Sequence, residues 1–467
     1  MSTAIDVIIL AAGLGTRMKS RQIKVLHPVC GKPMIFHLLD RLKPVARNRI
    51  IMVLGHQAER VKEAVSRVYP EVLFVRQERQ LGTAHALSQA RSLCKGANRT
   101  LLVLSGDTPF ISEKTLTAFL EHHRKEKALL SVLSVQMDDP AGYGRIVRGK
   151  SGRLKKIVEE KDATRSEKKI REVNTGIYLI ESSFAFPGLE RIQSDNAQKE
   201  YYLTDLLEIG IRSRGKVVSF SGALKEEVAG INSRVDLARA EKELRNRIAE
   251  FWMREGVTLI DPERTYIEEE VTIGRDTVIY PGTLLSGKTR IGEECTIRSG
   301  VSVSNSDIGR GVLIRENCVI SESRVGDGVT VGPFAHLRPG AVLMKESHIG
   351  NFVEIKKSEI GERSKVNHLS YIGDSVVGNR VNIGAGTITC NYDGSKKHRT
   401  VIGDDVFVGS DTQFVAPVRV GQGSLIGAGS TIVEDVPEES LSLSRERQVI
   451  KKGWVRKRKL INREQDG

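Results

Sequence analysis

The hydrophobic pattern of the C-terminal half has a period of about six residues. Between residues 271 and 434 an aliphatic residue, usually followed by glycine, recurs at this spacing, as in Ile273-Gly274, Ile291-Gly292 and Ile308-Gly309. This period matches neither an α-helix nor an ordinary hairpin. It is typical of a parallel β-helix, in which each hexapeptide supplies one short strand and one turn, with the aliphatic side chain pointing inward. The sequence therefore predicts an all-β C-terminal domain of about nine coils.

The N-terminal half shows a different pattern, in which strand and helix signals alternate up to about residue 228. This alternation predicts βαβ units and a mainly parallel, Rossmann-like α/β sheet with helices on both faces, and ligands beyond the carboxyl ends of its strands. The predicted strands are Val7–Ala11, Arg49–Leu54, Val72–Val75 and Thr100–Leu104, and the predicted helices are Pro33–Leu42, Ala58–Val68, Ala84–Leu93 and Glu113–Lys125.

A single amphipathic helix is predicted between the two halves. Apolar residues recur at three- and four-residue steps from Leu237 to Phe251, while charged residues occupy the other positions. The predicted organisation is a first domain at 1–232, a linker helix at 233–254 and a β-helix domain with a basic tail at 255–467.

The six-residue period is interrupted once. After Ile383-Gly384 it breaks through residues 387–400 and resumes at Ile402. Repeat proteins place insertions in loops on one face, which is often the binding face. A ligand site is therefore expected near this segment.

Charge and composition restrict the partners. The net charge is +14, and residues 445–464 hold nine basic and two acidic residues. Such a segment either binds an anionic partner or is a solvated tail. No nucleic-acid-binding module accompanies it and no apolar run could span a membrane, so neither partner is expected. The five cysteines form no CxxC pair, and a reducing, cytoplasmic location is predicted.

The first predicted strand runs into a glycine-rich turn with candidate chemistry. Gly13 and Gly15 are followed by Arg17 and then by Lys24. Backbone N–H groups and cations in such a turn can bind phosphate, although the glycines could also simply make a turn. Asp107, at the end of a later strand, is either a hard oxygen ligand for a cation or a turn-capping residue.

Longer motifs give this chain a family resemblance. The segments at 10–18, 24–29 and 31–34 resemble the opening signature of sugar-nucleotide pyrophosphorylases. Five further segments, at 80–86, 142–146, 157–163, 174–176 and 201–205, are similar to those of the bacterial enzymes that join an N-acetylglucosamine-1-phosphate uridyltransferase to a glucosamine-1-phosphate acetyltransferase. The resemblance runs from about residue 5 to 455. It implies a nucleotidyltransferase domain followed by a left-handed parallel β-helix of hexapeptide repeats.

The resemblance implies roles for residues of the first domain. Arg17 and Lys24 are expected to be catalytic, and Asp107 and Asn232 to hold Mg²⁺. The expected nucleotide-binding residues are Leu10, Ala11, Ala12, Gly13, Gln77, Gly82 and Thr83, and the expected amino-sugar-binding residues are Gly144, Glu159, Asn174 and Asn232. Leu14, Ile23 and Ser105 depart from the residues that the family often carries there.

In the β-helix domain His368 is the candidate general base, because an amine nucleophile must lose a proton and imidazole titrates near neutral pH. A lone histidine on a β-helix could equally be an ordinary surface residue. The resemblance implies that His368 is the base, with Asn391 and Glu354 shaping its surroundings. It also implies that the sugar phosphate is held by Arg338, Lys356, Tyr371 and Asn382, and acetyl-CoA by Ala385, Asn391, Tyr392, Ser410, Ala428 and Arg445.

The activity that the resemblance implies has two steps. Glucosamine-1-phosphate is acetylated from acetyl-CoA, and UTP then reacts with the product to give UDP-N-acetylglucosamine and pyrophosphate. The family forms homotrimers with acetyltransferase pockets between neighbouring β-helices, and the same is expected here. Two alternatives stay open: a single-activity pyrophosphorylase with a structural or regulatory β-helix, and a non-enzymatic trimeric scaffold.

Overall fold

The computed structural model describes residues 4–46, 48–94 and 99–458. The chain divides into two compact units, Met1–Leu244 and Arg245–Gly467. The division falls inside the helix Arg234–Arg254, close to the predicted linker helix 233–254. Within the described residues no helix combines the length and the apolar character that crossing a bilayer requires.

The first unit is built on a nine-stranded sheet with helices packed on it. Its strands are β1 (Ala4–Ala11), β2 (Pro28–Val29), β3 (Lys32–Pro33), β4 (Arg49–Leu54), β5 (Leu73–Arg76), β6 (Arg99–Ser105), β7 (Leu130–Gln136), β8 (Arg145–Arg148), β9 (Leu154–Val158), β10 (Glu172–Glu181) and β11 (Val217–Phe220), of which β2 and β3 form a separate pair. The helices are α1 (Met34–Leu42), α2 (Ala58–Ser66), α3 (Thr83–Gln89), α4 (Glu113–Glu126), α5 (Ser182–Leu189), α6 (Asp205–Arg212) and α7 (Arg234–Arg254), with 3₁₀ turns at Thr16–Met18, Lys24–Leu26, Ala90–Ser92 and Glu167–Lys169.

The strand order explains where a ligand can bind. The order is β11-β7-β10-β6-β1-β4-β5, and β6, β1, β4 and β5 are mutually parallel. The prediction of a mainly parallel sheet holds for these strands, whereas β10 runs antiparallel to both β6 and β7. Separate buried clusters lie on the two faces, so both faces are covered. The carboxyl ends of β1 and β6 lie side by side, since Leu10 pairs with Ser105.

The second unit is a parallel β-helix with three sheets of eleven, ten and nine strands. The first sheet contains Thr258–Leu259, Val278–Ile279, Thr296–Ile297, Leu313–Ile314, Thr330–Val331, His348–Asn351, Lys365–His368, Asn382–Ile383, Phe407–Val408, Leu425–Ile426 and Leu441–Ser442. The second contains Tyr266–Ile267, Leu284–Ser286, Ser302–Ser304, Val319–Ser321, His336–Leu337, Glu354–Lys356, Tyr371–Gly373, Ile388–Cys390, Gln413–Val415 and Thr431–Ile432. The third contains Thr272–Ile273, Arg290–Ile291, Asp307–Ile308, Arg324–Val325, Val342–Leu343, Glu359–Ile360, Ser375–Val377, Thr400–Ile402 and Val418–Val420.

The register of the coils follows the hexapeptide pattern. The aliphatic residue of each repeat is buried, as Ile279, Ile297 and Ile314 are, and each pairs with its equivalent one coil away. The β-helix begins one coil before the six-residue repeat that starts at residue 271, because Thr258–Leu259 already pairs with Val278–Ile279. The predicted interruption at 387–400 is present but shorter, because Ile388–Cys390 continues the second sheet and the loop runs from there to Thr400–Ile402.

Candidate active sites

The first unit contains a cavity of about 660 Å³ beyond the carboxyl ends of β1 and β6. Nearly all the residues that the sequence singled out in this unit line it. These residues are Leu10, Ala12, Gly13, Arg17, Lys24, Gln77, Gly82, Thr83, Asp107, Gly144, Glu159, Asn174 and Asn232. Ala11 is the exception, because its half-buried side chain packs against the hydrophobic core beside the sheet.

A cluster of charged and amide groups lies in this cavity. Lys24 Nζ forms an ion pair with Asp107 Oδ2 and donates a 2.7 Å hydrogen bond to Asn232 Oδ1. Arg17 donates to the same Asn232 oxygen at 2.8 Å. The side chains of Lys24 and Asp107 are only 14% and 16% exposed, so water screens their charges weakly. The folded chain thus brings together the two predicted cations and both predicted metal ligands.

The oxygen atoms of Asp107 and Asn232 suit a hard divalent cation. At the neighbouring Gly230 an added Cβ would lie 3.1 Å from Asn232 Nδ2 and 3.9 Å from Asp107 Oδ1, so a larger residue would crowd this space. Within residues 4–46, 48–94 and 99–458 no group of three His, Cys, Asp or Glu side chains could hold a metal ion. Asp107 and Asn232 alone would therefore fill only part of the coordination shell of a divalent cation, and other oxygen atoms would have to complete it.

The loop before α3 forms another wall of the cavity. Gln77 Nε2 donates to the Gly82 carbonyl at 3.1 Å, and Thr83 Oγ1 accepts from the Leu203 amide at 3.0 Å. Gly82 has φ +113°, and a Cβ there would lie 2.5 Å from the carbonyl oxygen of Tyr201. The cavity wall thus depends on a close backbone approach that only glycine permits.

The third wall is polar and partly buried. Burial raises the pKa of the Glu159 carboxyl, and the hydroxyl of Thr204 donates to Glu159 Oε1 at 3.3 Å. Asn174 Nδ2 donates to the Tyr178 hydroxyl at 2.7 Å. At Gly144 an added Cβ would come within 3.3 Å of Glu159 Oε2, so glycine leaves this carboxylate accessible.

Sequence reasoning missed several residues of this cavity. Tyr143, Tyr178 and Gln80 also line it. Tyr143 stands between two glycines in a motif that was recognised, which was the available signal. Of the departures from the family pattern, Leu14 and Ser105 line the cavity, whereas Ile23 packs against the core.

On the β-helix, polar residues of the second sheet stack from coil to coil. Arg338 donates to Glu354 Oε1 at 2.8 Å, and Glu354 pairs in register with Tyr371. Proximity to Lys356 lowers the pKa of Lys397, a residue of the interrupting loop. Two cations held this close favour an anionic ligand between them. The sequence analysis did not select Lys397, because the hexapeptide repeat does not predict the path of the loop that contains it.

Four of the six residues predicted to hold acetyl-CoA form a second column along one corner of the coils: Ala385, Ser410, Ala428 and Arg445. The Ala385 carbonyl accepts from the Asp411 amide at 2.7 Å, and the Ser410 carbonyl accepts from Gly429 at 2.8 Å. The Ala428 carbonyl accepts from Arg445 at 2.9 Å. Repeat-by-repeat stacking therefore aligns residues that are far apart in sequence.

His368 ends its strand on the first sheet, one corner away from Tyr371, and its side chain is exposed. Its Nδ1 atom lies 2.7 Å from Asn351 Oδ1. The two groups expected to shape its surroundings bond elsewhere: Glu354 to Arg338, and Asn391 to the Asp374 carboxylate at 2.5 Å.

Two other predicted residues lie around this centre. Asn382 pairs with Lys365 on the coil that follows His368. Tyr392 is in the interrupting loop, where its hydroxyl donates to the Gly394 carbonyl at 2.7 Å.

Comparison with known protein families assigns a class to each part of the chain. A family model described as nucleotidyl transferase matches residues 6–242. The model of the GMPPB C-terminal domain matches residues 263–350, and that of the bacterial transferase hexapeptide (six repeats) matches residues 399–434. The chain is therefore a nucleotidyltransferase domain followed by a β-helix of the left-handed hexapeptide class, as the sequence predicted.

Full-length relatives define the family. The chain is 49% identical over 449 residues to the bifunctional protein GlmU of Geobacillus sp. (strain WCH70), covering 96% of this chain and 97% of the relative. It is 48% identical to the proteins of the same name from Halalkalibacterium halodurans and Geotalea uraniireducens, each over 452 residues and 97% of this chain, covering 98% and 99% of the relatives. The chain belongs to the bifunctional GlmU family, which confirms the resemblance found in its motifs.

Proposed function

We propose that this chain makes UDP-N-acetylglucosamine in two steps, one in each domain. Residues 255–467 acetylate glucosamine-1-phosphate with acetyl-CoA, residues 1–232 join the product to UTP, and the helix 233–254 links them. The observation that carries the proposal is the pair of separate cationic clusters: Lys24 with Arg17 in one unit, and Arg338, Lys356 and Lys397 in the other. Both reactions use phosphorylated, anionic substrates, and each cluster suits one of them.

In the first domain an oxygen of the sugar phosphate attacks the α-phosphorus of UTP. A new P–O bond forms, the bond to the β-phosphate oxygen breaks, and pyrophosphate leaves. The attacking oxygen is already ionised, so the domain has only to position it and to neutralise charge, which Lys24 and Arg17 do. Mg²⁺ held by Asp107 and Asn232 adds charge neutralisation when it is bound. Gln77, Gly82 and Thr83 contact the base, while Gly144, Glu159 and Asn174 contact the amino sugar.

In the second domain the amine of glucosamine-1-phosphate attacks the thioester carbonyl of acetyl-CoA. His368 takes the proton of the amine as the C–N bond forms. The C–S bond then breaks, and the leaving thiolate recovers a proton from the imidazolium. The sugar phosphate lies against Arg338, Lys356, Tyr371 and Asn382, and acetyl-CoA lies along Ala385, Asn391, Tyr392, Ser410, Ala428 and Arg445.

The active assembly in this proposal is a cytoplasmic homotrimer with acetyltransferase pockets between neighbouring β-helices. Exposed apolar side chains on the β-helix support an interface between copies. Phe334 and Phe352 are 48% and 55% exposed and stack with ring centroids 5.3 Å apart, next to the 63% exposed Leu369. Apolar clusters of this kind usually mark protein–protein contacts. Light scattering coupled to size-exclusion chromatography tests the assembly, and a mass of one or two chains would contradict it.

One assay tests the reaction sequence. The purified protein is given acetyl-CoA, UTP, Mg²⁺ and glucosamine-1-phosphate, and free thiol and pyrophosphate are followed separately. Thiol release should precede pyrophosphate release, and leaving out acetyl-CoA should stop both. Pyrophosphate release from glucosamine-1-phosphate at an equal rate without acetyl-CoA would contradict the proposed order.

A further inference from the structure

Asn351 lies against His368 in the stack of coils. The strand His348–Asn351 pairs in parallel with Lys365–His368, in a register that sets Asn351 opposite His368. Asn351 Oδ1 is 2.7 Å from His368 Nδ1, and the Asn351 carbonyl accepts from the Leu369 amide at 3.1 Å. The contact is therefore fixed by the register of adjacent coils and not by a flexible loop.

The charged groups around His368 have other partners. Glu354 accepts from Arg338, and Asp374 accepts from Asn391. His348 is on the same strand as Asn351, and burial, together with the positive charges of Arg315 and Lys365, lowers its pKa. The lowered pKa favours the neutral form of His348.

We propose that Asn351 is a positioning residue that holds His368 in the Nδ1–H tautomer, so that Nε2 presents its lone pair to the substrate amine. A carboxamide oxygen only accepts, so the imidazole nitrogen facing it must carry the proton. An amide also orients the ring without adding a negative charge. A negative charge at this position would stabilise the imidazolium and so remove the base at neutral pH. The inference rests on the proposed role of His368 in acetyl transfer.

Two substitutions at this position test the inference. Asn351→Ala removes the acceptor and should lower kcat for acetyl transfer about tenfold to a hundredfold, with little change in KM for acetyl-CoA, as loss of an orienting partner does elsewhere. Asn351→Asp keeps the acceptor and should restore most of kcat at high pH. Its acidic limb in the kcat profile should move to higher pH, by about one unit, because a carboxylate stabilises the protonated ring. His348→Gln in the same background should keep that shift, because His348 is not the titrating group.

The tautomer can also be observed directly. With the His368 imidazole in its neutral form, the ¹⁵N chemical shifts of the ring should identify a protonated Nδ1 and an unprotonated Nε2. The inference is overturned if Nε2 carries the proton, or if Asn351→Asp loses more acetyl transfer than Asn351→Ala at high pH, where the imidazole is neutral in both variants. Either result means that the amide faces the ring with its NH₂ group.

Failure of the inference and failure of the proposed function are distinguishable. If His368→Ala retains acetyl transfer, the proposed role of the histidine is wrong. If His368→Ala abolishes it while both Asn351 variants behave like the parent protein, only the positioning role is wrong. Uridylyl transfer should be unchanged in every variant, which reports that the first unit has folded.

Discussion

The two units assemble their polar sites in opposite ways. In the first, loops at the ends of β1 and β6 and the turn before α7 bring Lys24, Asp107 and Asn232 together in a half-open cleft, in which the side chains of Lys24 and Asp107 are largely buried. In the second, residues one coil apart stack on a surface, as Arg338 with Glu354 and Asn351 with His368, and most of these side chains remain accessible. The first site is therefore lined on several sides by one chain, whereas the second is a surface, which agrees with the proposal that a neighbouring copy completes it.

The largest expected effect is the loss of one activity without the other when a single residue is replaced in either unit. Asp107→Asn keeps the size of the side chain but removes its charge, and should lower uridylyl transfer by about a thousandfold or more while sparing acetyl transfer. His368→Ala should do the reverse, because the amine loses its base. Pyrophosphate and free thiol, followed in the same preparations, measure the two activities.

The outcome also decides between the alternatives that the sequence left open. A His368→Ala variant with every activity intact would favour a single-activity pyrophosphorylase whose β-helix is structural. Absence of pyrophosphate release from the unaltered chain with UTP, Mg²⁺ and N-acetylglucosamine-1-phosphate would favour a non-enzymatic scaffold.

The next effect concerns how each unit is stabilised. Phe414 is fully buried in the β-helix, and Phe119 is fully buried in the first unit, where it stacks on Phe220. Replacing either by alanine should lower the free energy of unfolding of its unit by about 3–5 kcal/mol. In the β-helix each coil contacts only its neighbours, so Phe414→Ala should increase amide exchange mainly in the adjacent coils.

The matched substitution in the first unit, Phe119→Ala, should affect amide exchange differently from Phe414→Ala. Phe119→Ala should increase exchange across the whole sheet of the first unit, because non-local strand pairs share one core. Equal acceleration along the entire β-helix in Phe414→Ala would contradict the idea that its coils are locally stabilised.

Local patterns explain how much could be predicted from the sequence. The β-helix was predictable because each hexapeptide contains the local pattern of a short strand, a turn and an inward-pointing aliphatic side chain. The early coil at Thr258–Leu259 lacks the aliphatic–glycine pair and therefore lies before the repeat, although within the predicted β-helix domain 255–467. In the first unit β1, β4 and β6 were predicted from continuous apolar runs, whereas the antiparallel placement of β10 depends on pairing between distant segments, which no local pattern encodes.

Non-local geometry limits the prediction of the sites in the same way. The motifs correctly selected residues that line the first cavity, since they lie at strand ends. The sequence analysis did not select Asn351, because its contact with His368 depends on the register between two coils. Lys397 was missed because the course of its loop is fixed by three-dimensional packing and not by the repeat.

A smaller effect is expected at a close backbone contact in the wall of the first cavity. Gly82→Ala would push the loop before α3 away from Tyr201, because a Cβ would lie 2.5 Å from its carbonyl oxygen and 2.7 Å from its amide nitrogen. KM for UTP should rise about tenfold to a hundredfold, which is about 1.4–2.7 kcal/mol, with acetyl transfer unchanged. Gly152 is the control, since its φ is also positive (+74°) but nothing lies within 4 Å. A similar KM in Gly82→Ala and Gly152→Ala would show that the contact is unimportant.

One carboxylate in each unit sharpens the contrast further, because Asp405 and Asp205 should change stability in opposite directions as the pH falls. On the β-helix a hydrogen-bonded ion pair with Arg380 lowers the pKa of Asp405, so its contribution to stability is present near neutral pH and is lost as the pH falls. In the first unit burial, reinforced by the negative charges of Glu208 and Asp162, raises the pKa of Asp205 to about 6. The folded unit therefore binds the Asp205 proton more tightly than the unfolded chain does.

The expected sign at Asp205 follows from that difference. Protonated Asp205 contributes stability that is fully present below the ordinary aspartate pKa and is lost as the pH rises through about 6. Asparagine imitates the protonated form, so Asp205→Asn should stabilise the first unit by about 1 kcal/mol at pH 7.5, after allowance for partial solvent screening. The gain should disappear below about pH 4. Calorimetric melting of the first unit across this range measures it, with the exposed Glu121→Gln on α4 as the control. A difference in Tm that stays constant with pH would mean that the carboxyl of Asp205 titrates alike in the folded and unfolded chains.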